Sequence, residues 1–293
     1  MSDPTDRDRL LTHLRAITGE RHPVTSPAHL QRAEEYLADT FAQLGLQVST
    51  HPFEAMGGTY HNVVASLLPT HRTQGCGDGL PPAPLILAAH YDTVEGSPGA
   101  DDNASAVAVL LETARRLRGV DRMRGVHCIG FCLEEEGFLG SLAYAAELKA
   151  AQRDIAGAIV LECVGYASDQ EGSQTAPPGT PIAVPTVGNF LAVVGNQASA
   201  ALTASVERAA KPHVPVVPLV VPGNGERLPD TRRSDHAAFW HYGFPAVMLT
   251  DTANFRNPNY HRSIDTIDTL NLRFLEQVAD AATASVVAML QDK

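Results

Sequence analysis

Apolar residues along the chain alternate between short unbroken runs and sets spaced by threes and fours, a pattern that predicts strands exchanging with helices. Leu10, Leu14 and Ile17 share one helical face, which predicts a helix over 5–17 with Thr5 as its N-cap. Leu30, Ala33, Leu37, Phe41 and Leu44 predict a second over 27–44, opened by Ser26 and Pro27 and stopped by Gly45. Residues 47–53 and 60–68 flank Gly57-Gly58 and read as a hairpin at an antiparallel sheet edge. Thereafter strands at 85–89, 126–133 and 155–164 are separated by helices at 103–118 and from Phe138 onward. A helix at about 198–211, strands at 214–221 and 246–250, and a closing helix at about 271–290 complete the series. The expected class is α/β, a mostly parallel, doubly wound mixed sheet with helices on both faces. One domain over 1–293 is expected, with Pro- and Gly-rich loop insertions near 69–84, 168–189 and 222–233.

Each of three apolar strands delivers an acid or an imidazole at or near its end. The run Leu85-Ile86-Leu87-Ala88-Ala89 stops at His90, Tyr91 and Asp92, and Asp101-Asp102-Asn103 follow a loop containing Gly96, Pro98 and Gly99. The next strand ends in Glu134-Glu135-Glu136, the third holds Glu162, and the loop before the last helix adds His261. In open α/β sheets, ligands bind at that end of the strands. Carboxylates and imidazoles that converge without an equal number of Lys or Arg need a cation to offset their repulsion, and a metal is the simplest one. His90, Asp102, Glu135, Glu162 and His261 form an N/O donor set that suits zinc, and cobalt or manganese would use the same groups. Five ligands with a bridging carboxylate fit two ions better than one.

Blander uses exist for each residue. A lone His is most often a surface or core group, and Glu134-Glu135-Glu136 could be a solvated helix start. Glu162 resists such an account: Ile159, Val160, Leu161, Cys163 and Val164 surround it, no basic residue is adjacent, and a buried acid must be paired. Asp235 and His236 could cap a helix or orient a ligand. A Ser-His-Asp triad is the rival use, but the chain has no G-x-S-x-G elbow.

Composition narrows the partners. With 293 residues and 44% of them hydrophobic, the chain can bury a large core. A formal charge of −11 argues against nucleic acid and anionic membranes, which need clustered Lys and Arg, although ordinary solubility accounts for it as well. No apolar stretch reaches the length of a membrane span and the start is acidic, so a cytoplasmic location is expected. Cys76, Cys128, Cys132 and Cys163 form no C-x-x-C, and buried reduced thiols are expected of them.

The strings AHYDTV, GADDNAS, EEEGFLGS, LECVGY, RSDHAAFW with GFPAVMLTDTA, and NPNYHRSIDT resemble the successive motifs of the M-twenty-eight family of metallopeptidases, from about residue 57 to the end. That family includes dizinc aminopeptidases and glutamate carboxypeptidases, with glutaminyl cyclases as relatives. The resemblance implies that Asp102 bridges two zinc ions, one also held by Glu135 and His261, the other by His90 and Glu162. It makes Glu134 the general base that takes a proton from a zinc-held water, Asp92 the group orienting His90, and Tyr260 a donor to the developing oxyanion. The family often has Asp where this chain has Glu162. The expected function is a zinc exopeptidase acting on peptide or amino-acyl substrates, preferably an aminopeptidase. Its rivals are a carboxypeptidase, a one-zinc glutaminyl cyclase-type acyltransferase, and a binding domain with a dead metal site. Side-chain preference, choice of terminus and oligomeric state are not encoded legibly.

Overall fold

The computed structural model of the chain describes residues 4–70 and 82–291. Its frame is one eight-stranded sheet in the order β1-β2-β4-β3-β5-β8-β6-β7. β1 (Gln47–Ala55) and β2 (Gly58–Leu67) form the hairpin the sequence predicts, and β2 runs antiparallel to β4 (Val126–Phe131). β3 (Leu85–His90) lies between β4 and β5 (Gly157–Glu162), parallel to both, and β8 (Ala246–Thr250) continues parallel beside β5. β6 (Leu191–Asn196) turns antiparallel to β8, and β7 (Val216–Val221) pairs parallel with β6 at the edge.

β3, β4 and β5 are buried along nearly their whole length, as expected of central strands that read as continuous apolar runs. One face of the sheet carries α1 (Asp6–Ile17), α2 (Pro27–Gln43), α3 (Ala106–Leu117), α5 (Ala200–Ala210) and α7 (Leu272–Gln291); their apolar stripes share a core with Leu85, Leu87, Ile159 and Leu249. The other face is covered by α4 (Leu139–Ala150) and the short α6 (His236–His241), over Ile86, Ile129, Val160 and Trp240.

The helix boundaries follow their caps. At α1, Thr5 Oγ1 accepts from the Asp8 amide at 3.2 Å while Asp8 returns the bond to the Thr5 amide at 3.0 Å, the reciprocal capping box. Ser26 stands at the start of α2 but its hydroxyl makes no capping bond; Pro27 at the first position and Gly45 at φ +77° after the last turn do the punctuation. One strand was not anticipated: β6, LAVVGN, is a short apolar run that reads equally as strand or buried helix; α6 begins after Asp235, whose side chain makes no capping bond. The expected loops near 168–189 and 222–233 are largely irregular, and most of the one near 69–84, with Cys76, lies outside the described residues. Cys128, Cys132 and Cys163 are buried free thiols. Among the described residues no helix is long and apolar enough to cross a membrane.

Candidate metal centre and its adjoining pocket

The order β4-β3-β5 sets three parallel carboxyl ends side by side, and most of the predicted site residues come from there. His90 is the last residue of β3 and Glu162 the last of β5, while Glu134 and Glu135 follow the end of β4. Asp102 comes from the turn between β3 and α3, where Asp102 and Asn103 leave helical backbone geometry and share a cis peptide bond. His261 arrives from the loop between β8 and α7, in left-handed conformation at φ +59°.

The two oxygens of Asp102 face two different imidazoles. Oδ1 lies 3.3 Å from His90 Nε2, and Oδ2 lies 3.0 Å from His261 Nε2. His90 Nε2 is also 3.4 Å from Glu162 Oε2, and His261 Nε2 is 3.2 Å from Glu135 Oε2. Glu134 stands slightly back, its Oε2 3.8 Å from His90 Nε2. Despite these distances, both nitrogens of His90, both oxygens of Asp102 and Glu135 Oε1 are buried without a hydrogen bond of acceptable geometry. Buried polar atoms ordinarily have partners, and such a convergence of unsatisfied N and O donors fits a cation. Cys163 Sγ is close too, donating to Glu162 Oε1 at 3.3 Å.

The charges strain against one another accordingly. Burial would lower the proton affinity of His90, but Glu134, Glu162 and the two aspartates around it push its pKa well above the ordinary value. Burial would raise Asp102, but the imidazoles of His261 and His90 beside it hold it well below the carboxylate range. Burial, then Asp102, lifts Glu135 to about 7, and burial raises Glu134 well above its normal value. His261, drawn by Asp102 and Glu135 against its own desolvation, rises to about 10. The protein has gathered groups that want either protons or a metal.

A backbone scaffold holds them. Asp92 lies 3.5 Å from His90 Nδ1, and it accepts the amides of Glu134 and Glu135 at 3.1 Å each. Sequence reasoning missed three further supports. Asp265 accepts the amides of Asp101 and Asp102 at 3.0 and 3.1 Å; Asn103 bridges Leu161 O and the Cys163 amide; and Ser234 Oγ donates to Glu162 Oε2 at 2.8 Å. Asp265 sits inside the IDT string and Ser234 in RSDH, so the signal was position within a motif rather than charge. Asp235 and His236 are buried at the start of α6; His236 bonds Thr231 O at 2.8 Å and packs edge-on to Trp240, a structural use. Tyr260 stacks on His261 with ring centroids 3.8 Å apart, and its hydroxyl accepts from Arg233 at 3.2 Å. Burial raises its pKa, so it remains a donor.

Beside this centre lies a pocket of about 760 Å³ including its mouth, bordered by Glu162 and Tyr260. Its wall is apolar, from Phe190, Ala192 and Val194, Val217 and Leu219, and Met248. Residues 174–184 of the long loop close one side.

Fold and donor cluster together point to a metal-dependent enzyme built on a mixed α/β sheet. Residues 62–286 match Peptidase family M28, and the chain belongs to that family. A relative from Escherichia coli (strain K12), uncharacterized protein YfbL, is 35% identical over 298 residues, covering 93% of this chain and 85% of its own. Among solved structures, BSAP, a zinc aminopeptidase from Bacillus subtilis, is similar with a TM-score of 0.60 and 26% identity over 81% of this chain and 52% of that one. Fimbriiglobus ruber glutaminyl cyclase shares the fold at a TM-score of 0.68 and 20% identity, over 98% and 97% of the two chains. The chain spans between 40% and 51% of the length of curated aminopeptidases it matches.

Proposed function

We propose that the protein is a zinc aminopeptidase, in which Asp102 bridges two ions, one completed by Glu135 and His261 and the other by His90 and Glu162. The observation that carries this reading is the division of Asp102 between two imidazoles, Oδ1 toward His90 and Oδ2 toward His261, each with its own glutamate. A single ion would leave one of these imidazole–carboxylate pairs without purpose. The N/O donor chemistry and the zinc aminopeptidase among similar structures support the choice of metal. When bound, two zinc ions supply positive charge for the developing oxyanion and acidify water.

The protein groups do the rest. Glu134 is buried beside the ligands with a raised proton affinity, so it can take a proton from water and return it to the leaving amine. Tyr260, held by Arg233 at its oxygen, has its own proton to offer to the carbonyl oxygen as negative charge builds there. The apolar pocket takes the side chain of the residue being released, and its lining of Phe190, Val194, Leu219 and Met248 suits an apolar one. A carboxypeptidase would need a free cation for the substrate carboxylate. Arg233 at the pocket border is instead engaged by Asn254, Tyr260 and Asp230.

The test is a substrate panel on zinc-loaded protein. Amino-acyl anilides with a free α-amine and a leucine- or phenylalanine-sized side chain should be cleaved. Cleavage confined to amino-blocked dipeptides would make it a carboxypeptidase, and cyclisation of amino-terminal glutamine with one zinc per chain would make it a cyclase. Inertness across the panel would leave a binding domain.

A further inference from the structure

Arg21, in the segment between α1 and α2, is only 1% exposed. Among the described residues no carboxylate lies within ion-pair distance of it; its guanidinium is spent on backbone carbonyls. Nε donates to Tyr91 O at 2.7 Å, Nη1 to Ile17 O, Gly19 O and Pro98 O at 2.8, 2.6 and 3.0 Å, and Nη2 to Gly99 O at 3.1 Å. Its own amide donates to Thr93 Oγ1 at 2.8 Å. Burying a cation this deeply is costly unless nearby negative charge offsets the loss of water. Burial lowers its pKa to about 10, with Asp92, Asp102, Asp265 and Glu135 acting against that fall, so it stays charged at neutral pH.

The carbonyls it gathers are not a random set. Tyr91 opens the loop between β3 and the α3 turn, and Pro98 and Gly99 close it. One end of that loop carries His90 and Asp92, the other Asp102. Gly19 adds a second tie, its amide donating to Pro98 O at 2.8 Å. The fit leaves no slack: Gly99 has φ +59°, and a Cβ there would stand 2.8 Å from Arg21 Nη2 and 2.2 Å from Asp102 O.

We infer that Arg21 is a positioning residue for the metal centre, a clip that holds the two ends of the 91–99 loop at the spacing which lets Asp102 serve both His90 and His261. The inference rests on the metal-centre reading above. A clip and a mere charge make opposite predictions. A nearby monocation repels a divalent ion, so if only its charge mattered, removing it would tighten metal binding. If the fork matters, removing it loosens the ligands. A lysine keeps the charge but has three donors on one atom, which cannot span five carbonyls.

The experiment is chelator competition on zinc-loaded protein, followed by kinetics on an amino-acyl anilide. Arg21→Lys should release zinc at a chelator concentration lower by about 10-fold or more, the range in which supports behind metal ligands act. Its kcat should fall while KM holds, because the pocket is untouched. Arg21→Met should loosen zinc at least as much, and Thr93→Val, which removes the hydroxyl receiving the Arg21 amide, should give a smaller shift of the same sign. Wild-type zinc retention in Arg21→Lys, or tighter retention in Arg21→Met, overturns the clip. Should both Arg21 variants fail to fold, unchanged retention in Thr93→Val overturns it instead. A wild-type protein that binds no zinc sinks the metal reading itself, a result distinct from variants that bind it normally.

Discussion

The two sides of the site are built of different materials. On the side formed by β3, β4 and β5, charged groups are buried and held by the main chain: Asp92 on the amides of Glu134 and Glu135, Asp265 on those of Asp101 and Asp102, and Asn103 across to the end of β5. On the other side, β6, β7 and the 174–184 loop offer apolar side chains, several of them on the surface of a segment with little regular structure. Each ligand on the first side is fixed by groups that are themselves fixed, so an error of one residue propagates. The second side is a lining whose members act by volume, and volumes can be exchanged singly. The charged side is therefore rigid, and the lining of the pocket adjustable.

The sharpest way to break that division is at Glu134, which neighbours a proposed ligand and is proposed to have another role. Glu134→Gln keeps size and hydrogen bonding but cannot take a proton, so activity should fall by about 10²–10⁴-fold with zinc content intact, whereas Glu135→Gln should lose metal. Activity near wild type in Glu134→Gln, or zinc loss there and not in Glu135→Gln, would reverse the roles. A smaller effect is expected across the pocket. Ala176, an exposed residue of the lining, replaced by Phe should lower kcat/KM for leucyl relative to alanyl anilides by roughly 10-fold or more, since a few methylenes in an apolar pocket discriminate at that level. Thermal stability should hold; an unchanged ratio would show that the pocket does not read the side chain.

The smallest effect at neutral pH lies outside the site. Burial lowers His13 and His236 to about 4. A depressed histidine is neutral in the fold and protonates more readily unfolded. Its contribution is complete above the unfolded pKa of about 6.5 and is lost as pH falls toward 4, by up to a few kcal/mol for each group. Because the raised carboxyls of the site titrate in the same window with the opposite sign, the test is the difference: from pH 6.5 toward 4, His13→Gln should lose less stability than wild type, and parallel profiles would refute it.

The same division explains what was legible in the sequence. His90, Asp102, Glu135, Glu162 and His261 stood out because acids and imidazoles interrupt apolar runs, and strand order then had only one rim at which to gather them. Arg21 and Asp265 were invisible for the opposite reason. Their work is done on backbone carbonyls and amides, which carry no residue signature, and the loop each holds at the site is far along the chain from it. The pocket wall was half visible: the Pro- and Gly-rich loop announced itself, but β6 did not, because a short apolar run beside a loop is ambiguous between strand and buried helix.

Counting metal tests the central claim most directly. Protein stripped by chelator and titrated with zinc, with bound metal and anilide hydrolysis followed together, should take up two equivalents per chain, and Asp102→Asn should weaken both because both lean on its oxygens. Saturation at one equivalent with full peptidase activity would contradict the division of Asp102 between two ions.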